Sequence, residues 1–253
     1  MPVTLHVWRV PRRRLGAAML RMAFEPRRPP GVRFLKFVGT GTGVTFGLGD
    51  ADLTRYAAVT VSDQPVEFPR WDRLATGRAR VDLVPLTSRG TWSGQSPFDV
   101  KGRPPLGEAV DPGAVQARHV GQGLRGRTRP KGGMVLALTR ARLRPSRAAV
   151  FWRAVPPVAR ELADAPGLLA RFGFGEAPIG WQGTISLWRD AADLTRFAYR
   201  QPEHRAVIAR TSAARWYAEE LFARFAVTGI HGDRSVLGWL DDEVGLTREQ
   251  TEV

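Results

Sequence analysis

Hydrophobic and polar positions along the chain change period in a repeating order. Residues 3–10 (VTLHVWRV) carry the apolar-rich alternation of a strand. Leu15, Met19, Leu20 and Ala23 then recur at helical spacing, with Arg13, Arg14 and Arg21 between them, and Pro26, Pro29 and Pro30 end that helix. Strands follow at 32–38, 55–62 and 80–86, with a short helical stretch at 68–75 before the last. After a segment without periodicity the order returns. The pattern predicts strands at 133–139, 168–173, 181–188 and 226–230. It predicts helices at 145–163, 191–199 and 203–225, the first interrupted at Pro156-Pro157 because proline cannot donate to the helix ladder.

Each half therefore reads βαββαβ. The expected fold is α+β: two tandem ferredoxin-like halves, residues 1–92 and 133–233, around a basic Gly/Pro-rich connection at 93–132. Long connections in compact domains are often functional or mobile. Residues 234–253, with Asp241, Asp242, Glu243, Glu249 and Glu252, read as an acidic tail. The halves also match weakly in sequence. Phe34-Leu-Lys-Phe37 before glycine-rich turns parallels Arg171-Phe-Gly-Phe174 before Gly175, which suggests internal duplication. Two such sheets can join into a barrel within one chain, and the chain can still pair as a homodimer.

At 253 residues and 43% hydrophobic, the chain can bury a sizeable core, and eight Trp with twelve Phe leave aromatic surface for a ligand cavity. There is no cysteine, which excludes disulfide, zinc-thiolate, iron–sulfur and Cys-nucleophile chemistry. No signal peptide is read at 1–10 and no apolar run is long enough to span a bilayer, so a cytoplasmic protein is expected. The net charge of +14 attracts anions. The Arg residues are spread along the chain and no nucleic-acid reader motif occurs, so nucleic acid is not an expected partner. The basic helix at 12–22 is expected to touch anionic lipid, at the inner membrane face.

Several chemistries lack their motifs. There is no Walker loop, no Gly-x-Ser-x-Gly elbow and no His-x-x-x-His or His-x-His pair. Glu219 and Glu220 are neighbours that point apart on the expected helix. The turn Gly39-Thr-Gly-Thr-Gly43 is either a tight strand connection or a cradle of N–H groups for a propionate or phosphate. It is not a dinucleotide fingerprint, since Phe46 stands where the third glycine belongs.

Three segments resemble the spheroidene monooxygenase family. They are Phe34-Leu-Lys-Phe-Val-Gly-Thr-Gly-Thr-Gly43; Gly90-Thr-Trp-Ser-Gly-Gln-Ser-Pro-Phe98; and a stretch from Ala137-Leu-Thr-Arg-Ala141 to Phe225. The last includes Phe151-Trp-Arg, Ser186-Leu-Trp188, His204 and Trp216-Tyr-Ala-Glu-Glu. The third segment is also similar to a broader group of dimeric α/β-barrel proteins. The resemblance implies a monooxygenase that places a keto oxygen on an acyclic carotenoid or another apolar substrate. It also implies haem iron and an external electron donor such as ferredoxin.

Side chains alone do not pass single electrons to dioxygen, so such an enzyme needs a metal or flavin. His204, after Pro202-Glu203 at the start of the expected last helix, is the candidate haem ligand; the alternative is a helix-start histidine in water. Ile208 lies on its helical face, and Arg205 could pair with a propionate. Trp92 and Gly41 are the remaining candidate cofactor contacts. Trp92 lines a cavity mouth or plugs the long connection. His6 reads as a satisfied strand residue, His119 as a solvated loop residue and His231 as a turn residue after the last strand. Two further readings remain: a non-catalytic binding module of the same barrel, and a haem lyase of the aldoxime dehydratase type.

Overall fold

The computed structural model describes residues 2–24, 28–46, 48–98, 133–176, 181–200 and 217–240. Eight strands form one closed antiparallel barrel: β1 (Val3–Arg9), β2 (Val32–Gly41), β3 (Ala51–Ser62), β4 (Gly77–Gly90), β5 (Val135–Leu143), β6 (Leu168–Gly175), β7 (Trp181–Trp188) and β8 (Tyr217–Gly232). Their order around the barrel is β1-β3-β2-β6-β7-β5-β8-β4. Among the described residues the α-helices are α1 (Leu15–Phe24), α2 (Pro69–Asp72), α3 (Ala148–Ala163) and α4 (Ala191–Arg200). The α+β class is as expected from the sequence.

Alternation sorts each strand between two cores. On β1, Val3, Leu5 and Val7 point into the barrel, while Thr4, His6 and Trp8 point the other way. On β5, Leu136 and Leu138 point in, and Val135 and Ala137 face the helical side. The barrel interior is filled by these aliphatics together with Phe34, Phe172, Phe174, Ile185 and Phe225. Two strand pairings join residues 3–90 to residues 135–232. One is long, β4 with β8; the other, β2 with β6, consists of Gly39–Gly175 and Thr40–Phe174.

The structure corrects the reading of residues 217–225. Leu, Ala, Glu and Arg favour helices, and Leu221, Phe222 and Phe225 can share a helical face. Instead β8 pairs with β4 on one side and β5 on the other. Leu221, Ala223 and Phe225 then alternate into the barrel core, so tertiary pairing overrides propensity. Helix α3 runs through Pro156-Pro157 without interruption. Helix α1 rests on the sheet through Ala18 and Met22, leaving Met19 and Leu20 exposed.

The start of the expected tail belongs to the barrel. Val236 and Leu237 are buried in its core, Trp239 bridges Ala170, and the Leu240 N–H donates to the Leu169 carbonyl. Among the described residues no helix is long and apolar enough to cross a membrane.

Candidate functional site

The segment Gly90-Thr-Trp-Ser-Gly-Gln-Ser-Pro-Phe98 closes one end of the barrel, opposite the end closed by Val236 and Leu237. Gly90, at φ 94°, lets β4 cross tightly over β8, where a Cβ would collide with the Glu220 carbonyl. Ser93 at φ 54° and Gly94 at φ 72° then turn the chain back, and Trp92 drops inward. Trp92 is fully buried, stacked on Phe174 at 5.7 Å and edge-on to Phe34 at 5.3 Å. Phe98 packs edge-on to Phe225 at 5.0 Å. Of the two sequence readings of Trp92, this is the plug.

A charged cluster lies over the plug. Arg140 is buried, places its guanidinium 5.7 Å above the Trp92 ring, and pairs with Glu176 at 2.8 Å and with Glu219. Lys36 reaches Glu176 at 3.5 Å and donates to Ser93 Oγ at 2.8 Å. Burial works to raise the Glu219 carboxyl. The Gly94 N–H, Arg140 and the Thr91 hydroxyl outweigh it and hold the group at about 2. Glu219 is therefore a fixed anion and no proton donor at neutral pH. Ser93, Gly94, Arg140, Arg142 and Glu219 line a cavity of about 250 Å³. That falls below the roughly 300–1,000 Å³ of clefts that enclose drug-sized ligands.

Gly41 sits at the opposite end of the barrel, against Asp50. The donors that could have received a foreign anion are taken by that residue. The Thr42 N–H donates to the Asp50 carbonyl at 2.8 Å. The N–H groups of Gly43 and Phe46 donate to the Asp50 carboxylate at 3.0 and 3.2 Å, joined by the Thr42 hydroxyl. Phe46 is held at φ 53°, unusual for a bulky residue. Its ring crosses to the outer face of β6, against Gly173.

The outer, helix-facing layers of the barrel differ between its two parts. Over β1–β4 the layer is filled by aromatic rings. His6 stacks on Trp8 at 5.6 Å, Trp8 on Trp71 at 5.3 Å and Phe37 on Trp71 at 5.6 Å, with Phe68 edge-on to His6 and Tyr56 tilted against Trp71. His6 Nε2, Tyr56 Oη and Trp71 Nε1 find no hydrogen-bond partner among the described residues. Burial, helped by Arg80, lowers the His6 imidazole to about 4 against the pull of Asp72 and Asp82. It is a neutral, unpaired ring rather than a satisfied strand histidine.

Over β5–β8 the matching layer is floored by small side chains. Gly173, Thr184 and Thr139 form one row across β6, β7 and β5, and Ala137 and Ser186 flank it. The Thr139 and Thr184 hydroxyls bond each other. The apolar margin of this floor is Val135, Leu162, Leu168, Trp188, Leu194 and Phe197, with Phe46 against it.

His204, Arg205 and Ile208 lie outside the described residues, as do His119 and most of the 93–132 connection. His231 is exposed and pairs with Asp82 at 2.8 Å. Among the described residues there is no cluster of three His, Asp or Glu placed to hold a metal. Sequence reasoning missed the Arg140 cluster because it set Glu219 on a helix. An arginine at an inward position of β5, two residues from Leu138, was the available signal for a buried ion pair.

The chain has relatives across most of its length. It is 31% identical over 221 residues to the spheroidene monooxygenase of Rhodobacter capsulatus, covering 81% of each chain. The chain belongs to the spheroidene monooxygenase family. As a member of it the chain is an oxidoreductase. Relatives of the same name in Rubrivivax gelatinosus and Cereibacter sphaeroides are 30% and 28% identical. The match spans 80% of this chain in each case, and 72% and 58% of those relatives. No family model matches. Among solved structures, an aldoxime dehydratase in complex with butyraldoxime superposes with a TM-score of 0.53 at 12% identity, covering 89% of this chain and 79% of that one. A second aldoxime dehydratase structure gives 0.52 at 14%. At these identities the likeness is one of fold.

Proposed function

We propose that this family member oxidises an acyclic carotenoid or a similar extended apolar molecule, held on the helix-facing side of β5–β8. The observation that carries the reading is the difference between the two outer layers. The first is packed with rings; the second has a floor of Gly173, Thr184, Thr139 and Ala137. The barrel interior is filled and the cavity beside Ser93 is small. The β5–β8 floor combines short side chains with an apolar margin.

Family resemblance implies haem. A porphyrin does not fit the filled barrel, whereas a flat ring suits a floor of short side chains. His204 would hold the iron, Ile208 would pack beneath the ring, and Arg205 would pair with a propionate. When bound, the haem supplies the one-electron chemistry that activates dioxygen. Trp92 and Gly41 act in this reading through the frame: Trp92 keeps the barrel closed, and Gly41 lets Asp50 close the loop that presents Phe46. Converting a methylene to a ketone takes two successive oxygen insertions at one carbon, followed by loss of water. Each insertion consumes one dioxygen, two electrons and two protons and releases one water, so an external donor such as ferredoxin is required.

The two parts of the chain, 1–92 and 133–233, are read as a duplicated ferredoxin-like unit. The strand orders β4-β1-β3-β2 and β8-β5-β7-β6 support this, being the same sequence of positions. In this reading one copy keeps the ligand and the other has filled its layer with aromatic residues.

The test is the ultraviolet–visible spectrum of protein purified from a haem-supplied host, beside a His204→Ala variant. A Soret band that is lost or shifted in the variant is expected. A colourless wild-type protein, or an identical band in the variant, overturns the haem assignment.

A further inference from the structure

Helix α1 turns its apolar residues outward. An amphipathic helix on a sheet normally buries its hydrophobic stripe and shows water a polar one. In α1 the buried contact is Ala18, with Met22 half-buried beside it. The face left outside carries Gly16, Ala17, Met19, Leu20, Ala23 and Phe24, none of them polar. Met19, Leu20 and Phe24 are 54%, 61% and 70% exposed. Scattered exposed hydrophobics need no explanation, but a whole helix face without a polar group does.

The charge along residues 12–28 is mostly of one sign, six arginines against the single acidic residue Glu25. Arg12, Arg13 and Arg14 form the turn that leads into the helix, Arg21 lies within it, and no acidic residue occurs from 12 to 24. Arg14 pins the turn to the body by donating to the Arg73 carbonyl at 2.6 Å and the Leu74 carbonyl at 3.2 Å. Arg12 and Arg13 are exposed.

We propose that α1 is a membrane-docking element, which inserts Met19, Leu20 and Phe24 among the acyl chains of an anionic bilayer while Arg12 and Arg13 pair with its headgroups. The charge selects this occupant over a second copy of the chain, since self-pairing of the face would bring arginine against arginine. An anionic lipid surface neutralises those charges and receives the apolar face at once. The inference stands apart from the substrate reading, because it uses no residue of the β5–β8 floor.

Flotation with vesicles of phosphatidylcholine alone and of phosphatidylcholine with 30% phosphatidylglycerol tests it. The expected result is binding to the anionic vesicles that weakens with added salt. Leu20→Gln with Phe24→Gln should reduce that binding on the order of a hundredfold. Arg12→Gln with Arg13→Gln should reduce it on the order of tenfold. All four positions are exposed, so the melting temperature should hold. The chain has no cysteine, so a Phe24→Cys variant labelled with an environment-sensitive dye reports insertion directly, as a blue shift with anionic vesicles only. Absence of binding, equal binding to neutral vesicles, or binding unchanged by both double variants overturns the proposal. So does a dimer that the Leu20→Gln, Phe24→Gln variant dissociates, which would assign the face to a second copy.

Discussion

The Phe46 ring stands over Gly173, 3.2 Å from where a Cβ on that glycine would lie. The contact ties a loop after β2 to the outer face of β6, and the Asp50 carboxylate holds the loop by the N–H groups of Gly43 and Phe46. Gly173→Val should push the ring off the floor. At least a tenfold loss of turnover with a fall of only a few degrees in melting temperature is expected. Parallel activity and melting curves check it.

Asp50→Ala removes the acceptor for these donors and leaves the buried Arg55 with one carboxylate fewer nearby. A loss of about 2–3 kcal/mol is expected from the charged hydrogen bonds alone. Urea unfolding of the variant measures it.

His6 gives the fold a pH dependence of its own. Its imidazole is lowered to about 4 in the native state, chiefly by burial, against 6.5 when unfolded. Between those values the unfolded chain takes up the proton first. Stability is therefore unaffected above about pH 6.5 and falls as pH drops towards 4, by on the order of 3 kcal/mol in all. His6→Phe should remove that slope and leave stability at pH 7.5 equal or higher, because the unpaired Nε2 goes with the imidazole. Urea titrations from pH 7.5 to 4 decide it.

The Arg140 cluster is expected to behave as a unit. Arg140→Met leaves Glu176 and Glu219 facing each other without their shared cation and should cost about 3–5 kcal/mol. Adding Glu176→Gln and Glu219→Gln should recover much of that loss. Since Glu219 is held near 2, its stabilisation is complete above its ordinary value of 4.5 and disappears as pH falls through about 2. A Glu219→Gln variant should lack that acid-side decline.

The sequence showed the strand and helix order because alternation on β1, β3 and β7 is strong and proline and glycine punctuate it. It misplaced residues 217–225 because Leu221 and Phe225, four residues apart, satisfy both periods, and only pairing with β4 and β5 separates them. The orientation of α1 was hidden for a related reason: periodicity locates an apolar stripe, not the surface it faces. The candidate site was legible only in part. The distinctive Gly90–Phe98 motif was visible, but its role as a plug depends on the positive φ angles at Gly90, Ser93 and Gly94. The small-residue floor could not be seen, since Gly173, Thr184 and Thr139 are far apart in the chain and become a row only through the β6–β7–β5 register.

The most direct test of the account is turnover of an acyclic carotenoid under ¹⁸O₂, with haem and a reducing donor supplied, by the wild type and by Thr184→Phe, which fills the floor. The account predicts a labelled ketone from the wild type and at least tenfold less from a variant that melts within a few degrees of it. An unlabelled product, or equal turnover by the two proteins, would contradict it.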